Sequence, residues 1–428
     1  MNAAIAVSLV VFFLLGVPIA VAIGLASIVG IEVHGRLPLL LIPQRMFAGL
    51  DSFPLMAIPL FILAGNLMSA GGISARLVDL AKSIVGGMQG GLACTCVLTC
   101  MIFASVSGSS VATTFAIGSI LIPAMVRHNY PSGMAASIQA SSAELGVLIP
   151  PSIPLILYGV STETSIGQLF LAGIGPGLLV AGALMLTVIV MCRIKGLGRD
   201  DGDDRPDFAT ALARALPALM VPVAIIGGIY SGVFTPTEAS AVAVFVALLV
   251  GIVIYRELPL AALPGILRRT VISTAAIMLI ISAAALFSFL ISRSGLPREV
   301  AAWVSGVFES KITFLLAVNV LLLIIGMFIE TSAAILVLAP IFTPIAVQYG
   351  VDPVHFGVIV VVNLALGMFT PPLGVNLFAA CAVARIPLEK IIPQLLWFVL
   401  VVLACLMLVT YIPGIALWPV HLITGSPG

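Results

Sequence analysis

The chain has 428 residues, of which 61% are hydrophobic and only 8% charged, against roughly 25% charged in a soluble domain; a water-soluble fold is excluded. Eighteen Lys and Arg balance seventeen Asp and Glu, for a formal charge of +1, so no basic face is available to neutralise phosphates, and nucleic acid is excluded as a partner. The partner these figures require is the lipid bilayer, and at ~20 apolar residues per crossing helix the chain supports on the order of a dozen spans.

The first ionisable side chain is Glu32. The basic start and early small-residue cleavage site of a secretion signal are missing, so 3–31 reads as a retained first helix. Charged residues then bound apolar segments at 53–72, 92–106, 110–127, 131–158, 166–192, 213–231, 237–255, 270–292, 313–329, 333–348, 354–380 and 392–417. Three of these, 92–106, 110–127 and 333–348, are short for a ~30 Å hydrocarbon core. They are joined to their neighbours by small polar residues rather than charged loops, which predicts helical hairpins that enter and return. The stretch 86–91, GGMQGG, reads as a hinge ahead of the first hairpin.

The one strongly polar stretch, 193–214, carries Lys195, Arg199, Asp200, Asp201, Asp203, Asp204, Arg205 and Asp207 and reads as a linker between two halves. Placing it in the cytoplasm leaves Arg36, Arg45, Arg293, Arg298 and Lys311 outside and the other Lys and Arg inside, as the positive-inside rule favours. The six cysteines, Cys94, Cys96, Cys100, Cys192, Cys381 and Cys405, lie in or beside apolar runs without ligand spacing and read as packing residues. His34, His128, His355 and His421 fall at segment ends and read as interfacial or loop residues.

The chain repeats itself. LGVLIPPSIPLILYG (145–159) reads against LGMFTPPLGVNLFAA (366–380) at an offset of 221, pairing Gly146 with Gly367, Pro150 with Pro371 and Pro151 with Pro372. LMSAGGI (67–73) reads against LISRSGL (290–296), and amphipathic stretches follow at 74–88 and 297–310. With the orientation above, the two hairpins open to opposite faces, so the repeats are inverted, as in many secondary transporters.

In each copy a hairpin precedes a helix broken at Pro-Pro. Proline removes an N–H and clashes with the carbonyl four residues back, so the break frees carbonyls at membrane depth, where only protein or a watery cavity tolerates them. Carbonyls and hydroxyls together form an oxygen nest for a cation such as Na+. One expected site combines the tip Ser105, Ser107, Gly108, Ser109 and Ser110 with Gly146, Ile149 and Pro150; the other combines Glu330, Thr331 and Ser332 with Gly367, Thr370 and Pro371. Half-helix N-termini starting at Ser109 and Thr331 would face an anionic cargo. The residues expected around it are Ser109, Thr113, Pro151 and Ser152 of one copy with Thr331, Pro372 and Asn376 of the other. No basic residue falls at the middle of a segment, so bound cations would have to balance the cargo. Glu144 precedes the first break without a distinguishable role, and Glu238 stands in a capping-box relation to Thr235. No protease, lipase or prenyl-transferase motif occurs in the sequence, and an enzyme is not expected.

These residues carry a family resemblance. The runs FPLMAIPLFILAGNLMSAGGIS (53–74), FASVSGSSVATTFAIGSILIPAM (103–125), LGVLIPPSIPLILYG, GIGPGLL (173–179), GVFTPTEASAVA (232–243) and LGMFTPPLGVNLF resemble, in order, the large membrane subunit of tripartite ATP-independent periplasmic (TRAP) transporters. The resemblance implies an all-α, inverted-repeat elevator transporter of the bacterial inner membrane, with two re-entrant hairpins and two broken helices. It implies uptake of an organic acid, a carboxylate or sialic acid, with Na+ as coupling ion and no organic cofactor. It also implies two partners: a periplasmic binding protein, and a separate small four-helix membrane subunit. Carried over, the family's sodium sites fall on the two tip-and-break pairs. The expected organisation is an N-terminal scaffold helix and connector (1–52), a first transport repeat (53–165), scaffold helices (166–269), a second transport repeat (270–390) and a C-terminal scaffold helix (391–428). The alternatives are a passive channel, a stand-alone dicarboxylate symporter of related architecture and, remotely, an intramembrane enzyme.

Overall fold

A computed structural model describes residues 2–35, 37–198 and 205–424, and the described residues form helices and no strand. Lipid offers no hydrogen bonds, so a spanning backbone must pair with itself, and helices do this within one segment. The centre of the linker, with Arg199, Asp200, Asp201, Asp203 and Asp204, lies outside the described residues, as does Arg36.

The chain starts with α1 (Asn2–Leu14) and α2 (Ile19–His34). These were expected as one helix over 3–31. Gly16 takes a φ of +72° and Pro18 follows, and together they turn the chain so that α1 folds back on α2. A short α3 (Leu41–Ala48) leads to α4 (Ala57–Ala70) and the amphipathic α5 (Ile73–Val85), which buries Ile73, Leu77 and Ala81. Next come α6 (Gly91–Ser107) and α7 (Ser110–Arg127), then α8 (Ser132–Ala143), the single turn α9 (Leu145–Leu148) and α10 (Ile153–Thr162). A 30-residue α11 (Ile166–Lys195) enters the linker, and Asp207 opens α12 (Phe208–Tyr230). The Asp207 carboxylate accepts from the Thr210 N–H and hydroxyl, which hold it below its usual range. In α13 (Pro236–Leu248), the expected capping box of Thr235 and Glu238 is present in both directions.

The second half runs through α14 (Leu263–Ser294), α15 (Leu296–Val307), α16 (Lys311–Gly326), α17 (Thr331–Gln348), α18 (Pro353–Met368), α19 (Val375–Ala384), α20 (Ile392–Tyr411) and α21 (Gly414–Thr424). Among the described residues eight helices are long and apolar enough to cross a bilayer singly. The protein is a polytopic all-α membrane protein.

Hydrogen bonds fix which ends share a face. On one face, Gly90 N donates to Gly198 O, Arg205 donates to Ser83 O, Ser137 donates to Ile391 O, and Lys195 pairs with Gln394. The mouth of the α6–α7 hairpin, the start of α8, the linker and the start of α20 therefore lie together. On the other face, Tyr158 donates to Pro353 O, Tyr411 to Ile312 O, and Lys311 to Gly350 O. The mouth of the α16–α17 hairpin thus lies with the end of α10 and the end of α20. The two hairpins open oppositely, which is the inverted repeat expected from the sequence.

Packing divides the helices into two groups. Helices α1 to α4 associate with α12, α13 and α14, and α1, α2 and α14 share a small core of their own around Ile5, Ile23 and Leu286. The hairpins and broken helices associate with α11, α20 and α21, and the two groups touch where α4 meets α6 and where α14 meets α17. The sequence reading placed 166–192 and 392–417 with the scaffold, but α11 lies along both broken helices. Its glycines permit this: a Cβ on Gly173 would meet Leu148 O at 2.5 Å, and one on Gly177 would meet Ile149 at 2.6 Å.

Candidate transport site

Each hairpin tip rests on the break of its own repeat through a glycine. At the first tip Gly108 takes a φ of +60°, and its carbonyl accepts from Ile153 N at 3.3 Å, just past the break. A Cβ on Gly108 would approach Pro151 O to 3.0 Å, and one on Gly146 would lie 2.9 Å from both Ser109 O and Thr113 Oγ1. In the second repeat a Cβ on Gly367 would collide with the backbone of Gly326, where α16 ends. The Pro150–Pro151 and Pro371–Pro372 peptide bonds are both cis.

The first tip is a compact set of oxygens. Ser107 Oγ lies 2.9 Å from Thr113 Oγ1, Thr113 Oγ1 donates to Ser109 O at 2.8 Å, and the Ser109 side chain caps α7 through Ala112 N. Ser107, Ser110 and Thr113 are buried. Ser105 turns back on its own helix and donates to Ile102 O at 2.6 Å. In the break, Ser152 donates to Val147 O at 2.5 Å and caps α10 through Leu155 N. One carbonyl freed by the prolines is therefore already satisfied, and the Ser152 hydroxyl is engaged there rather than free for a cargo. Ile149 is extended, and its side chain fills the space left by Gly177.

At the second tip the Glu330 carboxylate caps α17, accepting from Ser332 N at 2.9 Å, Ala333 N at 3.3 Å and Ser332 Oγ at 2.9 Å. Its placement follows from local chemistry: an acceptor directly ahead of a helix satisfies orphan N–H groups and complements the dipole. Thr370 Oγ1 donates to Leu366 O at 2.6 Å, and Thr370 N to Gly367 O at 3.0 Å. Pro371 is half-buried and Pro372 exposed.

The two tips meet at Met368. Thr331 Oγ1 donates to its sulfur at 2.8 Å and Ser110 Oγ at 3.7 Å. Thr331 opens α17 and Ser110 opens α7, so two helix N-termini converge on the second break. The repeats are also tied by a fully buried contact, in which Asn376 Nδ2 donates to Glu144 Oε1; Glu144 Oε2 and Asn376 Oδ1 have no partner among the described residues. Asn376, expected to face the cargo, thus gives an amide hydrogen to the other repeat, and Glu144 gains the role the sequence left open.

Further polar contacts were not legible beforehand. Asn363 donates to Asn319 and Asn319 to Thr410, linking α18, α16 and α20. Gln139 bonds Cys96, Cys100 and Thr113 O inside the first repeat. His355, expected at an interface, is buried, with Nε2 2.8 Å from Val409 O. A cavity of about 620 Å³ lies between the first tip and the α4 and α14 helices; Ser107, Ser109, Gly65, Asn66 and Arg269 line it. Arg269 went unread because a positive charge near a helix start reads as an interfacial anchor.

A sequence profile described as "Tripartite ATP-independent periplasmic transporter, DctM component" matches residues 6–415. The chain belongs to this family. It is 44% identical over 408 residues to the isethionate TRAP transporter permease protein DctMQ of Oleidesulfovibrio alaskensis, a match covering 95% of this chain and 64% of that protein. It is also 44% identical over 373 residues to the C4-dicarboxylate TRAP transporter large permease protein DctM of Pseudomonas aeruginosa, covering 87% of each. The solved structure of the YdaH transporter of Alcanivorax borkumensis shares the fold at 17% identity and a TM-score of 0.64, over 89% of this chain and 88% of that one. As a TRAP large permease of the DctM type, this chain is a multi-pass membrane protein, and its relatives are transport proteins.

Proposed function

We propose that the protein imports an organic acid across the bacterial inner membrane by Na+ symport, receiving it from a periplasmic binding protein and working with a separate small membrane subunit. The observation that carries this reading is the meeting of two helix N-termini, α7 and α17, at Met368, with an oxygen-lined tip on each. Converging positive dipole ends favour an anion between them. Two tip-and-break pairs of hydroxyls and carbonyls suit Na+, a hard cation that takes oxygen ligands. The first would use Ser107, Ser109 and Ser110 with Gly146, Ile149 and Pro150, and the second Glu330, Thr331 and Ser332 with Gly367, Thr370 and Pro371. Gly108 forms the turn of the first tip, and Ser105 stands just ahead of it. Neither tip carries a basic side chain, so the cations would supply the charge the cargo needs.

In this reading the hairpins, broken helices, α11, α20 and α21 move as one body against α1 to α4 and α12 to α14, an elevator motion. The cargo is a carboxylate or sulfonate, since the relatives are named for isethionate and C4-dicarboxylates. The test is uptake into proteoliposomes holding this chain and its small subunit, with binding protein added outside, with and without an inward Na+ gradient. The reading expects accumulation that needs both additions. Uptake indifferent to the binding protein would favour the stand-alone symporter, and downhill flux indifferent to Na+ the channel.

A further inference from the structure

Helix α14 carries two adjacent exposed arginines, Arg268 and Arg269, in its second turn. Of the two, Arg269 lines the cavity beside the first tip, and among the described residues it is the one charged side chain that does so. It shares a helical stripe with Ser273 and Ile277, spaced four residues apart, which also line the cavity; Arg268 lies off that stripe. Among the described residues no carboxylate pairs with the Arg269 guanidinium. Beside it, Asn66 Nδ2 donates to Thr270 Oγ1 at 2.9 Å and pins α4 to α14.

The cavity has a direction. Ser107 and Ser109 lie at the tip of the first hairpin, while α7 ends at Arg127; Tyr255, just ahead of α14, donates its hydroxyl to Arg214 O near the start of α12, so α14 begins on the face that carries the linker. Helices α7 and α14 therefore run oppositely along the cavity, and Arg269 stands at the end remote from the tip, towards the linker face. An anion released from the tip region towards that face passes a guanidinium held on a different helix group from the tip itself.

We propose that Arg269 is the recognition residue for the cargo's carboxylate or sulfonate on the linker face of the membrane. This rests on the reading above that an organic anion crosses by way of the first tip. Guanidinium is suited to the task because its planar donors match a carboxylate or sulfonate in a paired geometry. A lone cation in a cleft with low-dielectric walls also concentrates anions locally. Because α14 packs with α2, α3 and α4, and touches α17 of the second hairpin rather than the helices of the first, the contact is available only while the cavity is open to this face. Arg269 is thus specific to one side of the membrane, whereas the hairpin oxygens travel with the cargo.

The test is exchange of labelled isethionate or succinate in membrane vesicles that expose one face or the other, made from cells expressing the whole complex. Exchange needs no Na+ gradient, and the binding protein is supplied at the face opposite the linker, so it stays readable if the coupling reading fails. At the linker face, Arg269→Gln should raise the half-saturation concentration about three- to fivefold, the scale of a solvent-accessible ion pair. Arg269→Lys should recover part of the loss, and the difference should shrink as ionic strength rises. At the opposite face Arg269→Gln should change nothing, and Arg268→Gln should be neutral at both. Equal effects of Arg268→Gln and Arg269→Gln would reduce both residues to interfacial charges and overturn the proposal. An unchanged Arg269→Gln, an effect at both faces, or no exchange of either anion by the unsubstituted complex would overturn it as well.

Discussion

At the scale of single residues the candidate site is a set of oxygens with little slack. Ser107 Oγ and Thr370 Oγ1 each keep lone pairs beyond their hydrogen bonds, and each lies on one of the two tip-and-break pairs. Ser107→Ala or Thr370→Ala is expected to weaken Na+ activation by about 1–2 kcal/mol per lost ligand, the size of a poorly replaced buried polar contact. Titrating uptake against Na+ in both variants checks this, and an unshifted activation curve in both would remove these hydroxyls from the cation sites. The hydroxyls and the glycines were legible because the offset of 221 marks corresponding positions. Other partners were not. Glu144 and Asn376 stand 232 positions apart, and no periodicity links a carboxylate before one break to an amide after the other. The sequence pointed to Glu330 as a cation ligand; its capping of α17 emerged only from the fold, although an acidic residue directly before a helix complements its N-terminus.

At the scale of elements, close approach of backbone decides where a hairpin can sit. Gly326 and Gly367 are in backbone contact, and both partners are main chain, so neither can rotate away. Gly367→Ala should therefore destabilise the second repeat by at least the 1–3 kcal/mol typical of overpacking, read as a fall in the thermal unfolding midpoint of the solubilised protein. An unchanged midpoint would mean that α16 and α18 do not touch as described. The short loop after α13 supplies a second case: Arg76 Nη2 donates to Glu257 Oε1 at 2.6 Å while its guanidinium lies 3.9 Å from the Tyr255 ring centre. The Arg76 hydrogen bond holds the Glu257 carboxyl below its ordinary range. A depressed folded-state value means the stabilisation is present above the unfolded carboxylate range and is lost as pH falls through the folded one. For so exposed a pair the effect is at most about 1 kcal/mol. Comparing the acid dependence of unfolding in Glu257→Gln and the unsubstituted protein checks the sign. Element boundaries were read less well than element existence. The break at Gly16 and Pro18 was hidden inside an uninterrupted apolar run, and hydropathy gave no way to see that α11 packs along the broken helices.

At the scale of the whole molecule, two copies of a hairpin and a broken helix are threaded in opposite directions so that their tips share one methionine. The sequence was informative about this because the Pro-Pro motifs and the charge distribution jointly fix the repeat and its inversion. It was silent on the grouping of helices, which depends on which glycine stripes meet. The central claim is that both tip-and-break pairs hold a coupling cation, and the most direct test is thermodynamic. In proteoliposomes with the binding protein supplied, the cargo gradient reached at steady state is measured while the Na+ gradient is varied at fixed membrane potential. The account predicts that the cargo gradient rises with at least the second power of the Na+ gradient. A first-power dependence, or none, would contradict it.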